Sequence, residues 1–355
     1  MIQNKLAKLL LTPFSLLYGM GVSIRDFLYR KKLLKGVEFN VPVIAVGNLS
    51  VGGAGKTPHI EYLIRLMKPF LNVATLSRGY KRKTKGFQIA NAQSTAESIG
   101  DEPLQFKKKF PEVTVTVSES RTFGIPEIMK FHPDTELILL DDAFQHRSVK
   151  PGLNILLTEF HHPFTKDFLL PAGRLREWRS AYQRADVIIV SKCPEDITEA
   201  ERQNFIQEIN PFPHQKIFFS WYQHLQPYYL LNPNYTTKLE QDWDVLLVSA
   251  IARTDYLEDY LETQVKSVKT LEYTDHHYFT KFDISHIKRT FDNHPSNKKL
   301  ILTTEKDAMR LDLHREFFIK NKMPIFVVPV EVLFHFDQGE EFNDLIKSHL
   351  LDFKV

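Results

Sequence analysis

The chain has 355 residues, 43% apolar and 25% charged, a composition that excludes intrinsic disorder and leaves room for two or three folded domains. Its 46 basic and 43 acidic residues give a net charge of +3, so the charge balance points to no nucleic-acid partner. A single cysteine, Cys193, excludes an intramolecular disulfide and is compatible with a reducing compartment.

Residues 1–35 form the first segment. No charge falls between Leu9 and Ile24, yet this run is short of the ~20 apolar residues a bilayer span needs. Leu6, Leu9, Leu10, Pro13, Leu17, Met20, Ile24, Phe27 and Leu28 recur at helical spacing. Lys5, Lys8, Thr12, Ser15, Gly19, Ser23, Asp26 and Arg30 fall on the opposite side. Thr12-Pro13 reads as an N-cap followed by a first-turn proline and predicts a helix restart there. Arg25, Arg30, Lys31, Lys32 and Lys35 flank the apolar run. The residues alone fit either a helix packed on a core or one lying in a membrane interface.

Residues 36–215 read as a nucleotide-binding core. Val43–Val46 is a short apolar strand ending in Gly47-Asn48. Ser50-Val51-Gly52-Gly53-Ala54-Gly55-Lys56-Thr57 follows, a phosphate loop in all but its first position, where Ser50 replaces glycine. Ile60, Leu63, Ile64 and Met67 then trace a helix that ends near Pro69. Strand, glycine loop and helix are the context in which backbone N–H groups wrap a phosphate, with Lys56 on the β- and γ-phosphates and the Thr57 hydroxyl on Mg²⁺. Further strands are predicted at Val73–Leu76, Val113–Val117, Leu137–Leu140, Leu153–Leu157 and Val187–Val190, spaced for crossover helices. The predicted fold is α/β: a P-loop NTPase-type, mostly parallel sheet with helices on both faces, plus a smaller C-terminal α/β unit.

The strand Leu137–Leu140 runs into Asp141-Asp142, which places two carboxylates at the sheet edge that carries the loop. A switch GTPase would show Asp-x-x-Gly here and an Asn/Thr-Lys-x-Asp string later. Instead Asp141-Asp142-Ala143-Phe144 lacks the glycine, and Val190-Ser191-Lys192-Cys193-Pro194 carries proline in the final position. Both departures favour ATP and a catalytic role. Gly100-Asp101-Glu102-Pro103 sets adjacent carboxylates in a turn, and Asp275-His276-His277 pairs an acid with two histidines. Each can be a catalytic group for phosphoryl transfer, or simply a helix start and a packed histidine pair. The basic strings Arg78–Lys85 and Arg174–Arg179 can capture an anion or be solvated loops.

Prolines and aromatics crowd 216–240, which reads as a linker or β-ribbon. Residues 241–355 read as a C-terminal α/β unit, with strands at Val245–Val248, Leu300–Leu302 and Ile325–Val328. On residues alone, a non-kinase P-loop ATPase, a metallochaperone or a switch protein stays open beside a kinase.

Together the motifs resemble the tetraacyldisaccharide 4′-kinases of lipid A biosynthesis. The strings are Val46–Pro58, Ser77–Tyr80, Gly100–Pro103, Asp141–His146, Pro171–Glu177, Asp275–His277 and Thr303–Asp307, in family order. That family carries a hydroxyl residue at the first loop position, as Ser50 does here. Ala143, Trp178 and the glycine-free Ser249–Arg253 depart from its usual pattern. The resemblance implies transfer of the γ-phosphate of ATP to the 4′-hydroxyl of a tetraacylated glucosamine disaccharide 1-phosphate, giving the 1,4′-bisphosphate. It implies Asp101 as base with His276 as partner, and Thr57, Glu102 and Asp142 on Mg²⁺ with Asp141 close by. It implies Ser50 to Thr57 on the nucleotide, and Asn48, Arg78, Tyr80, His146 and Arg174 on the lipid head. It also implies a peripheral place on the cytoplasmic face of the inner membrane.

Overall fold

The computed structural model describes residues 5–353. The larger sheet has nine strands, in the order Val330–Phe334, Lys216–His224, Val187–Ser191, Leu153–Glu159, Val43–Asn48, Leu137–Asp141, Val73–Ser77, Thr114–Val117 and Gln88–Ile89. The two edge strands are antiparallel to their neighbours and all others run parallel. Val43–Asn48, Leu137–Asp141 and Val187–Ser191 are buried throughout, as expected for strands covered on both faces. Ile44 and Val46 join Ile60, Leu63 and Ile64 of the helix Lys56–Met67 in one core. Val43 and Ala45 point the other way, into a core with Ile125 and Ile128 of the helix Arg121–Phe131. This two-residue alternation is the pleat of the strand.

Chain order makes the site. After Val43–Asn48 the chain builds one half of the sheet and returns beside it as Leu137–Asp141. It then continues on the other flank as Leu153–Glu159, so Val46 lies opposite both Asp141 and Ile155. The crevice outside the carboxyl ends of these strands is the topological switch point, where open α/β sheets bind ligands.

The smaller sheet has the order Asn232–Thr236, Tyr228–Tyr229, Ile325–Val328, Lys299–Thr304, Asp244–Ser249 and Ser267–Glu272. Its last four strands are parallel. Two sequence expectations are corrected here. Within 216–240, Lys216–His224 is an interior strand of the larger sheet, and only Tyr228–Thr236 forms a ribbon, on the smaller one. The span 241–355 is not one unit, because Val330–Phe334 returns to the larger sheet and the helix Gln338–Leu351 packs Phe342 on Phe218. Pro329 alone separates the two sheets at this return.

The N-terminal helix runs unbroken from Lys5 to Arg30 with Pro13 inside it. The expected restart at Thr12-Pro13 does not occur, and the Thr12 hydroxyl donates back to the Lys8 carbonyl at 2.9 Å. The helix docks through its polar side. Ser15 is buried, donating to Leu169 O and accepting from Ala172 N. Trp178 donates to Ser23 and to the Gly19 carbonyl, and Arg25 pairs with Glu177. The opposite side, with Leu9, Leu10, Phe14, Leu17, Met20, Ile24 and Phe27, is 49–69% exposed. Among the described residues no helix is long and apolar enough to cross a membrane.

Candidate active site

A cleft of about 1060 Å³ opens between the two sheets and along the N-terminal helix. Its floor is the phosphate loop. Gly55, the N-cap of the helix Lys56–Met67, holds φ 85°, and a Cβ there would collide with the Tyr222 hydroxyl. Only glycine serves at such a position. Ser50 has no left-handed backbone requirement, which is why a hydroxyl residue can open the motif. Beneath the loop, buried His59 bonds the Gly55 carbonyl through Nδ1 (2.8 Å) and Ser220 through Nε2 (3.0 Å). Burial brings this imidazole down to about 4, so it is neutral at pH 7.

Lys56 reaches the Asn48 amide oxygen at 3.1 Å and Asp142 at 3.5 Å. Arg176 clamps Asp142 with two bonds, of 3.0 and 2.8 Å. Burial pushes the Asp142 carboxyl up, but Lys56 and Arg176 outweigh it and hold it well below the usual range. Its neighbour Asp141 is the opposite case. Asp141 is 1% exposed, and its Oδ1 has no hydrogen-bond partner among the described residues. Burial, and then the Glu102 charge, push it up to about 7.

The third group joins the two units. Gly100 at φ 94° starts the helix Asp101–Lys109, so Asp101 and Glu102 sit in a first helical turn. From the other unit His276 Nδ1 meets Asp101 Oδ2 at 2.9 Å, and Arg310 donates to the same oxygen at 2.8 Å. Lys306 contacts His276 Nε2 and Glu102 Oε1, each at 3.0 Å. With a lysine ammonium donating to Nε2, the imidazole proton lies on Nδ1 toward the carboxylate. Burial raises the Asp101 carboxyl, but the His276 hydrogen bond with the Lys306 and Arg310 charges holds it below the ordinary range. His276 lines the cleft with Tyr80 edge-on at 4.7 Å, while Asp101 lies behind it at 3% exposure.

Residues 7–351 match the family model described as Tetraacyldisaccharide-1-P 4′-kinase. The chain belongs to this family. It is 43% identical to the tetraacyldisaccharide 4′-kinase of Phocaeicola vulgatus over 96% of this chain and 94% of that one. It is 45% identical to the enzyme of the same description from Parabacteroides distasonis, over 96% and 94%. The crystal structure of LpxK from Aquifex aeolicus in complex with ATP superimposes with a TM-score of 0.73 at 29% identity, covering 97% of this chain and 99% of the other. This likeness bears out the α/β class read above.

In this member of the 4′-kinase family, the cleft gathers Ser50 to Thr57, Arg78, Tyr80, Glu102, Asp141, Asp142, His146 and His276 around one space. Burial and the Arg121 charge bring His146 down to about 4. Three expected contacts fall elsewhere. Asn48 is 2% exposed and serves as a brace, accepting from Lys56 and Arg176. Arg174 does not line the cleft, because its guanidinium is tied to Asp167 at 2.8 Å. Of the 78–85 string Arg78, Gly79 and Tyr80 line the cleft; Arg82 and Lys83 pair with Glu119 and Glu97, and Lys81 bonds the carbonyls of Asp275 and His276. Arg121, Arg176 and Lys306 line it instead. The last two stand inside motif strings already noted, and that position was the available signal. Arg121 and Arg310 had none.

Proposed function

We propose that the protein transfers the γ-phosphate of ATP to the 4′-hydroxyl of a tetraacylated glucosamine disaccharide 1-phosphate. The observation that carries this reading is the meeting of the phosphate loop with the Asp101–His276 pair across one cleft, whose third wall is the N-terminal helix through Leu17, Tyr18 and Val22. A switch or chaperone has no use for an acid–imidazole pair facing its nucleotide, nor for an exposed apolar helix face beside that cleft. Lys56 and the loop amides hold the phosphates. The Asp101–His276 pair takes the proton of the attacking hydroxyl: Asp101 holds the ring through Nδ1, and Nε2 accepts the proton once the hydroxyl displaces the Lys306 ammonium from it. Arg176 and Arg121 supply positive charge on the acidic side of the loop.

The residues also fit Mg²⁺. Among the described residues no three His, Cys, Asp or Glu side chains form a metal cluster, but Mg²⁺ is commonly held by one or two carboxylates, water and substrate phosphates. The orphaned, buried oxygen of Asp141 is the donor that most lacks a cation. Asp141 with Thr57 and Glu102 would hold the ion, and Asp142, already saturated by Lys56 and Arg176, would orient that group. When bound, Mg²⁺ offsets charge on the transferred phosphoryl group. The exposed apolar helix face and the Arg30–Lys35 cluster support a peripheral seat on the inner leaflet of the cytoplasmic membrane.

The test is radiolabelled ATP with the disaccharide 1-phosphate, read by lipid chromatography. Label should move to the lipid, and Lys56→Ala should lower the rate about a hundredfold or more with the fold retained. ATP turnover indifferent to added lipid would overturn the kinase reading.

A further inference from the structure

The string Val190–Pro194 fails as a guanine-reading motif, yet the fold gives its lysine a particular place. Ser191 ends a strand that lies one strand away from Val43–Asn48, and its hydroxyl donates to the Ala54 carbonyl at 2.9 Å. The strand end is thereby fastened to the phosphate loop. Lys192 follows at φ 55°, a left-handed conformation unusual for a long side chain. Its ammonium stands 3.7 Å from where a Gly53 Cβ would be, on the wall of the cleft. Glu159 is 3.3 Å away, and the ring of Tyr256 from the C-terminal unit covers the ammonium at 4.7 Å.

Lys192 and Lys56 approach the loop from opposite flanks. Lys56 is tied to Asp142, beyond the strand on one side; Lys192 is tied to Glu159, at the end of the strand on the other. Glu159 is also 4.0 Å from Arg174, so one carboxylate serves two cations. The Lys192 side chain is only 14% exposed. A buried ammonium that shares its single carboxylate is short of negative charge, and the ligand of this loop is a polyanion. We infer that Lys192 is a second nucleotide-contacting cation, which bonds the phosphate chain of ATP at Gly52-Gly53 beneath the Tyr256 ring.

This inference rests on the reading of the loop as the ATP site, and the experiment separates the two. Binding of ATP, ADP and GTP is measured on the full-length protein by calorimetry, with wild type, Lys56→Ala, Lys192→Gln, Lys192→Arg and Glu159→Gln. Lys192→Gln should weaken ATP by about tenfold to a hundredfold, the worth of one charge-assisted bond. ATP and GTP should weaken by the same factor, because the contact is to phosphate, and Lys192→Arg should recover most of the loss. Glu159→Gln should leave ATP binding unchanged or tighter, since it removes the competing carboxylate. A loss in Glu159→Gln equal to that in Lys192→Gln would make the pair a structural tie and overturn the inference. So would an ATP affinity within twofold of wild type in Lys192→Gln, or an altered ATP-to-GTP ratio. If Lys192→Gln fails to fold, Lys192→Met, which also removes the charge, and Glu159→Gln decide by the same criteria. Undiminished lipid phosphorylation in Lys56→Ala is the separate result that removes the ATP-site reading itself.

Discussion

Two adjacent aspartates show how strongly a residue's role depends on what surrounds it. Asp142 forms ion pairs with two cations and is held ionised; the Asp141 carboxyl forms none among the described residues, and burial with the Glu102 charge outweighs the more distant Lys56 and Arg121 to push it up to about 7. No sequence pattern distinguishes them, because Arg176 arrives from a loop 34 positions away. Lys56, Thr57, Asp101 and His276 were legible because their chemistry is written in local strings. Arg121 and Arg310 were not, since an isolated arginine acquires meaning only from the carboxylates the fold brings to it. Arg310 bears on the proposed acid–imidazole pair directly, sharing Asp101 Oδ2 with His276. Asp101→Ala and His276→Ala should each lower kcat strongly. Because the two share one bond and one task, the double variant should be little slower than the slower single one. Multiplying losses in single-turnover kinetics would show that the residues act independently.

At the scale of elements, continuously apolar strands were readable and half-polar ones were not. Val43–Val46 and Leu137–Leu140 stood out because both faces are buried. Ser267–Glu272 is an edge strand with alternating partial exposure, and Lys216–His224 carries polar ends beside a proline-rich stretch. The N-terminal helix was readable as amphipathic, but not which side would dock. Its polar stripe has small residues, and these let the body approach: a Cβ on Gly19 would press into the Trp178 ring. Docking by this stripe leaves the apolar side unpartnered, with Lys31, Lys32 and Lys35 at its end. The helix should bind vesicles containing anionic lipid, each basic residue contributing on the order of 1 kcal/mol in low salt. High salt should weaken that part. Leu17→Glu with Ile24→Glu should release the protein into the supernatant on flotation, with Tm near wild type because both positions are exposed. Retention of the double variant on vesicles would place the membrane contact elsewhere.

At the scale of the molecule, the least legible feature was the return of the chain through Pro329 to the first sheet, which no composition shift marks. The two units are therefore joined twice, and their facing helices are tied by charge. Asp101–Lys109 and the segment Glu305–Asp312 meet through Asp101–Arg310, Glu102–Lys306, Lys108–Asp312 and Lys109–Glu305. Lys109 also bonds Glu61 at 2.7 Å, so one ammonium stands between two buried carboxylates. Burial, then the Glu61 charge, push Glu305 up to about 7 against the pull of Lys109. A carboxyl whose folded pKa lies above its unfolded value is stabilising while protonated. Its contribution is full below about 4.5 and is lost as pH rises through about 7. Glu305→Gln keeps the hydrogen-bonding shape without the charge. Its Tm relative to wild type should therefore climb between pH 5 and pH 8, by the equivalent of about 2 kcal/mol. Thermal unfolding of both proteins across that range is the measurement. A difference that stays flat, or that shrinks toward pH 8, would mean Lys109 compensates both carboxylates and that ionised Glu305 does not weaken the junction.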